Sequence, residues 1–300
     1  MMDPIAERIR QLKKEKGAVI LAHNYTSPEI QDVADYVGDS LGLSIEAANT
    51  DSDIIVFCGV SFMGETAKLL NPDKTVLMPE PDAHCAMAAM CTKEQLQEFK
   101  RLHPDRAIVG YVNSTAESKS EMDICCTSSN AVRIVESLRG RKILFVPDMN
   151  LGAYAASRTG MDIMLWNGFC PIHHGITVSQ VRELKERYPG ALIMAHPECR
   201  MEVLELADHI GSTESMVNFP KTSDAEEFIV LTEIGMKYRL DKENPGKRFY
   251  FLDHAICTTM KMATPISVIR CLEEGSGKIE IDPAIMKDAA VPVKKMIELS

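Results

Sequence analysis

Short runs of mostly apolar residues recur along the chain in the same order and at similar intervals. The first set comprises Ala18–Tyr25, Ala107–Ser114 and Ala191–Glu198, whose starts lie 89 and 84 residues apart. Each run is short and partly β-branched, which is typical of a strand buried on both faces of a sheet. The pattern therefore predicts an internal repeat of roughly 85 residues, present three times.

Three further sets of segments follow the first set in every repeat. They are Asp35–Ser40, Asp123–Ser128 and Asp208–Thr213; Ile54–Phe57, Ile143–Val146 and Phe228–Leu231; and Val76–Met78, Ile163–Leu165 and Phe249–Phe251. A threonine then precedes a helical pattern. Thr92 and Thr177 each have a glutamine three residues later, as in a capping box, and Thr264 precedes Pro265. Strands that alternate with helices indicate parallel sheets with right-handed crossovers.

The repeat predicts the fold class and the domain organisation. We expect an α/β protein of three tandem αβα domains related by a pseudo-threefold axis, each a small parallel four-stranded sheet flanked by helices. The predicted domains are residues 1–90, 91–175 and 176–262, and C-terminal helices occupy residues 263–300. We expect these helices to pack on the first repeat.

Charge and hydropathy exclude several classes of protein. The chain has 43 acidic and 33 basic residues, a net charge of −10, and no basic stripe that would follow a nucleic-acid backbone. No apolar run approaches the ~20 residues that span a bilayer, and the N-terminus lacks the apolar core of a signal peptide. We therefore predict a cytoplasmic protein that binds neither nucleic acid nor membrane. Its nine cysteines are then packing residues or metal ligands rather than disulfides.

Three cysteines share the period of the repeat. Cys85, Cys170 and Cys257 lie 85 and 87 residues apart, each in the loop after the fourth strand. Ligands of open α/β sheets bind beyond the carboxyl ends of the strands, so we expect these loops to meet at the centre. The remaining cysteines fit packing roles: Cys58, Cys91, Cys125, Cys126, Cys199 and Cys271.

The three periodic cysteines admit three interpretations. They could be buried packing residues, but the threefold spacing disfavours this. They could bind zinc, but structural zinc takes four ligands and paired C-x-x-C motifs are absent. They could hold a [4Fe–4S] cluster, in which three thiolates leave one iron open for substrate.

Polar residues follow the first strand of every repeat. They are His23 and Tyr25, Tyr111 and Asn113, and His196 and Glu198. Burying such groups at three equivalent strand ends is costly unless they have a function, so together they predict an active site. His173 follows Cys170 closely, and we expect it either to contact the metal site and substrate or to lie exposed in its loop.

Hydroxyl residues stand where the second strand of each repeat leads into a helix. They are Ser40, Ser128, Ser212 and Thr213. Such residues cap helices everywhere, but three helix N-termini that face one centre would also bind anions. Both roles are compatible. The sequence therefore predicts a polyanionic small molecule held beside a Lewis-acidic iron.

These motifs together resemble the quinolinate synthase family. The resemblance covers nearly the whole chain and rests on the three periodic cysteines and on Leu21–Tyr25, Gly38–Ser40, Tyr111–Thr115, Thr127–Ser128, Asn130–Ala131, His196–Cys199 and Gly211–Thr213. It implies three similar α/β domains around a [4Fe–4S] cluster. It also implies condensation of iminosuccinate with dihydroxyacetone phosphate to quinolinate, with release of phosphate and water, in de novo NAD biosynthesis.

The resemblance also implies a role for each matched residue. Cys85, Cys170 and Cys257 would bind the cluster. Tyr25 and Glu198 would transfer protons, Glu198 as the base. The substrate carboxylates and phosphate would be bound by His23, Ser40, Tyr111, Asn113, Ser128, His173, His196, Ser212 and Thr213. An aspartate oxidase or dehydrogenase would supply the iminosuccinate.

Two other functions remain open on the sequence alone. One is a different cluster-dependent hydro-lyase that acts on a mono- or dicarboxylate. The other is a non-catalytic iron–sulfur sensor, which would carry its cysteine loops on the surface, whereas an enzyme would enclose them in a pocket.

Overall fold

Three parallel four-stranded sheets are present in residues 4–300, the part of the chain described by this computed structural model. The first contains β1 (Ala18–His23), β2 (Tyr36–Gly38), β3 (Ile54–Cys58) and β4 (Thr75–Leu77); the second, β5 (Arg106–Tyr111), β6 (Ile124–Cys126), β7 (Lys142–Val146) and β8 (Ile163–Leu165); the third, β9 (Leu192–Ala195), β10 (His209–Ile210), β11 (Glu227–Leu231) and β12 (Arg248–Tyr250). All pairings among these strands are parallel, and every sheet has its second strand outermost beside its first, then its third and fourth. The predicted α/β fold of three repeated sheets is confirmed.

Fifteen α-helices connect or flank the strands in the same part of the chain. They are α1 (Pro4–Lys16), α2 (Pro28–Val33), α3 (Ser40–Asn49), α4 (Ser61–Leu70), α5 (Lys93–Leu102), α6 (Ala116–Lys119), α7 (Ala131–Ser137), α8 (Met149–Thr159), α9 (Pro171–His174), α10 (Val178–Arg187), α11 (Met201–Leu204), α12 (Thr213–Thr222), α13 (Met236–Glu243), α14 (Pro265–Glu274) and α15 (Pro283–Glu298). The dipeptide Asp3-Pro4 predicts the start of a first helix in the sequence, and Asp3 lies outside the described residues. None of these helices is both long and apolar enough to cross a lipid bilayer.

An aspartate before the second strand marks the same position in each repeat. Asp35, Asp123 and Asp208 each accept a 2.8 Å hydrogen bond from a backbone N–H of the first strand, at Ile20, Ile108 and Ile193 respectively. When the repeats are aligned on these aspartates, equivalent residues lie 88 and 85 positions apart, rather than the 89 and 84 that the starts of the apolar runs indicate. The second repeat therefore begins one residue earlier than its apolar run. His23, Tyr111 and His196 thereby become equivalent.

The predicted helix caps are present in all three repeats. Thr92, Thr177 and Thr264 each form a capping box, in which the threonine hydroxyl accepts from the N–H three residues later and the side chain of that later residue accepts from the threonine N–H. Each box fixes two of the N–H groups that a helix start leaves unpaired. The cysteine loop therefore enters its helix at a defined point.

The two C-terminal helices occupy different places. Helix α14 packs on α1, where Ile9 and Leu12 join Val268 and Leu272 in one apolar cluster. Helix α15 lies against α4 of the first repeat and against α6 and β6 of the second. Its contacts thus extend beyond the first repeat, because its buried residues fill a groove between two repeats.

Candidate active site

One cavity of about 260 Å³ receives side chains from all three repeats. It lies at the carboxyl ends of the strands, where ligands of α/β sheets bind. Of the predicted site residues, those that line it are His23, Tyr25, Ser40, Cys85, Tyr111, Asn113, Ser128, Cys170, His173, His196, Glu198, Thr213 and Cys257. The repeats therefore bring together residues that lie far apart in sequence.

The three periodic cysteines reach the cavity as free thiols. Cys85, Cys170 and Cys257 are half-buried and form no disulfide. Burial raises the pKa of the Cys85 thiol to about 12 and also raises the pKa of Cys170, to which the charge of Glu198 adds. An apolar site of this kind favours a thiolate only when a cation lies beside it.

Two of the cysteine loops are held by buried carboxylates that the sequence analysis missed. Asp148 accepts a 3.1 Å hydrogen bond from the backbone N–H of Cys170, and Glu233 accepts one of the same length from that of Cys257. Both carboxylates are fully buried, each two residues beyond the third strand of its repeat. Val60 has this position in the first repeat. In the sequence, only the shared position after the third strand could have indicated this role. Asp148 also caps α8, and that local role already accounts for an aspartate there.

Glu198 is held by two residues of the second repeat. The Tyr111 hydroxyl donates to its Oε1 at 2.5 Å, and Nδ1 of His173 lies 2.9 Å from its Oε2. Burial alone would raise the pKa of Glu198, but His173 and His196 and these hydrogen bonds hold it below its usual range. Glu198 is therefore an ionised carboxylate with both oxygens engaged.

His173 is buried, not exposed, and joins Glu198 to Tyr25. Its Nε2 lies 2.8 Å from the Thr232 hydroxyl, which lies 2.6 Å from the Tyr25 hydroxyl. Its Nδ1 is also 3.2 Å from the Cys170 sulfur. A hydrogen-bonded chain thus runs from Glu198 through His173 and Thr232 to Tyr25. Sequence reasoning missed Thr232, because its equivalents in the other repeats are glycine and proline.

Two further histidines of the cavity, His23 and His196, are kept neutral. Burial lowers the pKa of His23 to about 3, with Lys261 contributing, and burial also lowers the pKa of His196 to about 3, with His173 contributing. A neutral imidazole both donates and accepts hydrogen bonds. In each, Nδ1 accepts from a backbone N–H two residues on, at Tyr25 and at Glu198. Each Nε2–H is thereby directed away from that backbone.

The hydroxyl residues divide into cavity-lining and capping positions. Ser40, Ser128 and Thr213 each lie five residues after the marker aspartate of their repeat, and all three line the cavity. Within residues 4–300, the hydroxyls of Ser40 and Ser128 form no hydrogen bond. Asn113 contributes a buried carboxamide oxygen that likewise has no partner in this part of the chain.

Ser212 is not among the residues that line this cavity, and its predicted role in substrate binding stays a prediction. Its position is equivalent to that of Asp39, and both residues cap helices: the Ser212 hydroxyl accepts from the N–H of Ser215, and the Asp39 carboxylate from that of Gly42. The oxygen of Ser212 is therefore engaged at the start of α12. Ser212 lines a second cavity of about 620 Å³, adjoining the first at Asp39 and Ser128.

A metal ion could be held within the main cavity. One ligand atom from each of Cys170, His173 and Glu198 lies within 4.8 Å of the others. Thiolate, imidazole and carboxylate are all ligands of transition metals. The cavity therefore has the donor groups that a metal centre requires.

Comparison with known proteins gives a consistent result over nearly the full length. Residues 7–298 match the model of the quinolinate synthetase A protein family. The quinolinate synthase of Methanosarcina barkeri is 53% identical over 271 residues, 90% of this chain and 89% of its own. Those of Dehalococcoides mccartyi and Aquifex aeolicus are 49% and 45% identical over 99% of this chain, covering 98% and 94% of their own lengths.

Proposed function

Because the chain belongs to the quinolinate synthetase A family, we propose that it condenses iminosuccinate with dihydroxyacetone phosphate. The products are quinolinate, phosphate and water, and the pathway is NAD biosynthesis. One observation carries this proposal: a single cavity collects three cysteines and the polar strand ends of all three repeats. Iminosuccinate would come from an aspartate oxidase or dehydrogenase.

Cys85, Cys170 and Cys257 would bind a [4Fe–4S] cluster. The donor set fits, because exactly one thiol arrives from each repeat and no fourth cysteine of residues 4–300 lines the cavity. Four thiolates would saturate a cluster, whereas three leave one iron with an exchangeable position. When bound, the cluster would supply a Lewis acid that polarises a hydroxyl or carboxylate oxygen of the substrate. The sulfur of Cys170 would lie beside His173.

Ser40, Ser128 and Thr213 would bind the anionic groups of the substrates. Ser40 and Thr213 are the first residues of α3 and α12, so unpaired backbone N–H groups accompany their hydroxyls. The unpaired oxygen of Asn113 needs a hydrogen-bond donor, and the nitrogen of iminosuccinate or a hydroxyl of the triose phosphate would supply it. The cavity thus offers donors to the anions and an acceptor to the reacting groups.

Glu198 and Tyr25 would move protons. Glu198 is an ionised carboxylate, so it can take a proton from a carbon or nitrogen of the bound substrates. Burial and the nearby charge of Glu198 raise the pKa of Tyr25, so its hydroxyl stays protonated and can donate. The chain through His173 and Thr232 would let the two residues exchange protons without admitting water.

An anaerobic assay tests the proposal. The purified protein is incubated with iminosuccinate and dihydroxyacetone phosphate, quinolinate is measured by mass spectrometry, and iron and sulfide are counted per chain. We expect quinolinate to form and about four irons to be present. Protein that contains four irons and dehydrates a simple hydroxy acid, but makes no quinolinate, would favour a different hydro-lyase.

A further inference from the structure

Asn24 connects the first repeat with the third at the edge of the cavity. It lies between His23 and Tyr25, is fully buried, and occupies a position that is apolar in the other repeats, where Val112 and Pro197 stand. Its Nδ2 donates a 2.8 Å hydrogen bond to the hydroxyl oxygen of Thr213. Its carboxamide therefore contacts a cavity-lining residue without lining the cavity itself.

Arg239 fixes the orientation of this carboxamide. Its Nη1 donates a 2.8 Å hydrogen bond to Oδ1 of Asn24. A guanidinium has donors only, so the atom that faces it must be the oxygen, and the NH₂ group of Asn24 must face Thr213. Glu214 accepts from Nη1 and Nη2 of Arg239 and Glu243 accepts from its Nε, and these two ion pairs anchor the guanidinium.

The orientation of Asn24 in turn sets the direction of the Thr213 hydroxyl. A hydroxyl has one hydrogen, and an oxygen that accepts from Asn24 keeps that hydrogen for another partner. No acceptor for it occurs within residues 4–300, and Thr213 lines the cavity. The hydrogen is therefore available to a ligand in the cavity.

We propose that Arg239 and Asn24 are positioning residues that direct the Thr213 hydroxyl to donate to an anionic group of the substrate. This inference rests on the proposed function, in which Thr213 binds such a group. The ion pairs of Arg239 largely neutralise its charge, so it acts through Asn24 and not by attracting the anion. Reversing the hydrogen bond at Thr213 should therefore weaken anion binding even though no group that touches the ligand has changed.

The variant Asn24→Asp reverses that bond. The introduced carboxylate keeps the shape and the contact with Arg239, but it can only accept, so Thr213 turns its hydrogen away from the cavity. Binding of succinate and of inorganic phosphate is measured by calorimetry on anaerobically purified protein with its iron content recorded. We expect one of these anions to bind about tenfold to a hundredfold more weakly, the loss typical of a hydrogen bond to a charged group. Thr213→Val should lose the same amount.

The double variant separates the proposed relay, the hydrogen bonds from Arg239 through Asn24 to Thr213, from simple repulsion between the introduced carboxylate and the bound anion. In a Thr213→Val background, Asn24→Asp should cause little further loss, whereas repulsion would act equally in both backgrounds. Full additivity, or unchanged affinity in Asn24→Asp, would overturn the proposal.

Arg239 gives a second test should Asn24→Asp fail to fold. Arg239→Met should weaken the same anion, and Arg239→Lys, which still donates to Asn24, should restore most of the affinity. Equal loss in both would also overturn the proposal. If the unaltered protein made no quinolinate while these variants behaved as expected, the proposed function would fail and the relay would stand.

Discussion

The Tyr111 hydroxyl donates a 2.5 Å hydrogen bond to Oε1 of Glu198, across the boundary between the second and third repeats. Tyr111 is the last residue of β5, and Glu198 lies three residues beyond the end of β9. The bond orients the carboxylate and, after the larger contributions of His173 and His196, helps to hold its pKa below the usual range. A base prepared in this way needs no rearrangement before it accepts a proton.

Replacement of Glu198 by glutamine tests its role as the base. Glu198→Gln keeps the shape and an acceptor for Tyr111 but removes the basic oxygen. Turnover should fall by roughly two to four orders of magnitude, while iron content stays normal. Glu202→Gln is the matched control, because Glu202 is an exposed carboxylate four residues away and should change turnover little. Turnover retained in Glu198→Gln would transfer the base role to Tyr25 or a histidine.

Two serines with different positions should give opposite phenotypes. Ser128→Ala removes a cavity-lining hydroxyl without another partner, so substrate binding should weaken while stability and iron content remain normal. Ser212→Ala removes the cap of α12, so the free energy of unfolding should fall by about 1 kcal/mol while binding is kept. Calorimetry and urea denaturation measure the two effects. Iron loss in Ser128→Ala would mean that this residue is structural.

The sequence was sufficient for the features that repeat. The number of strands in each sheet follows from an apolar pattern that recurs three times, and the caps at Thr92 and Thr177 follow from local hydrogen bonding within four residues. Convergence of Cys85, Cys170 and Cys257 on one cavity follows from their shared place after a fourth strand. All of these depend on local pattern and on symmetry.

Site residues that have no equivalent in the other two repeats could not be predicted. Asn24 and Thr232 have apolar or conformationally special residues at their equivalent positions, and their partners lie in other repeats. Asp148 looks like an ordinary helix cap until the Cys170 loop folds onto it. The sequence could not separate the cap Ser212 from the cavity-lining Thr213, because a hydroxyl at a helix start serves equally well as a cap or a ligand.

The buried His23 should make stability depend on pH. Its pKa falls from 6.5 in the unfolded chain to about 3 in the folded protein, mainly through burial. Below pH 6.5 the unfolded chain binds a proton at His23 that the folded protein does not bind. The contribution of His23 to the free energy of unfolding is therefore complete above pH 6.5 and is lost as the pH falls toward 3. At about pH 5 the loss amounts to about 2 kcal/mol for this one group.

A histidine substitution checks this pH dependence. In urea denaturation of reduced, chelator-treated protein at about pH 7.5 and about pH 5, His23→Gln should reduce the difference between the two free energies of unfolding by about 2 kcal/mol. His254→Gln, at an exposed position, should leave the difference unchanged. An unaltered pH dependence in His23→Gln would mean that His23 is protonated in the folded protein.

The equivalence of the three periodic cysteines can be tested without reference to any relative. If one cluster is held by one thiolate from each repeat, then replacing Cys85, Cys170 or Cys257 by serine should each time abolish stable iron binding and turnover, because two thiolates remain. The controls are Cys125→Ser and Cys271→Ser. Both thiols are buried among apolar side chains, and neither lines the cavity. These should retain iron while losing stability to a buried hydroxyl. Iron loss that followed Cys125 or Cys271, with iron kept in any one of the three periodic variants, would contradict a threefold site. A further comparison, Asp148→Asn, addresses how the loop is held: it replaces one of the two oxygens that accept from the N–H groups of Cys170 and α8 by an NH₂ donor, so the cluster should assemble but lose iron to a chelator faster than in the unaltered protein.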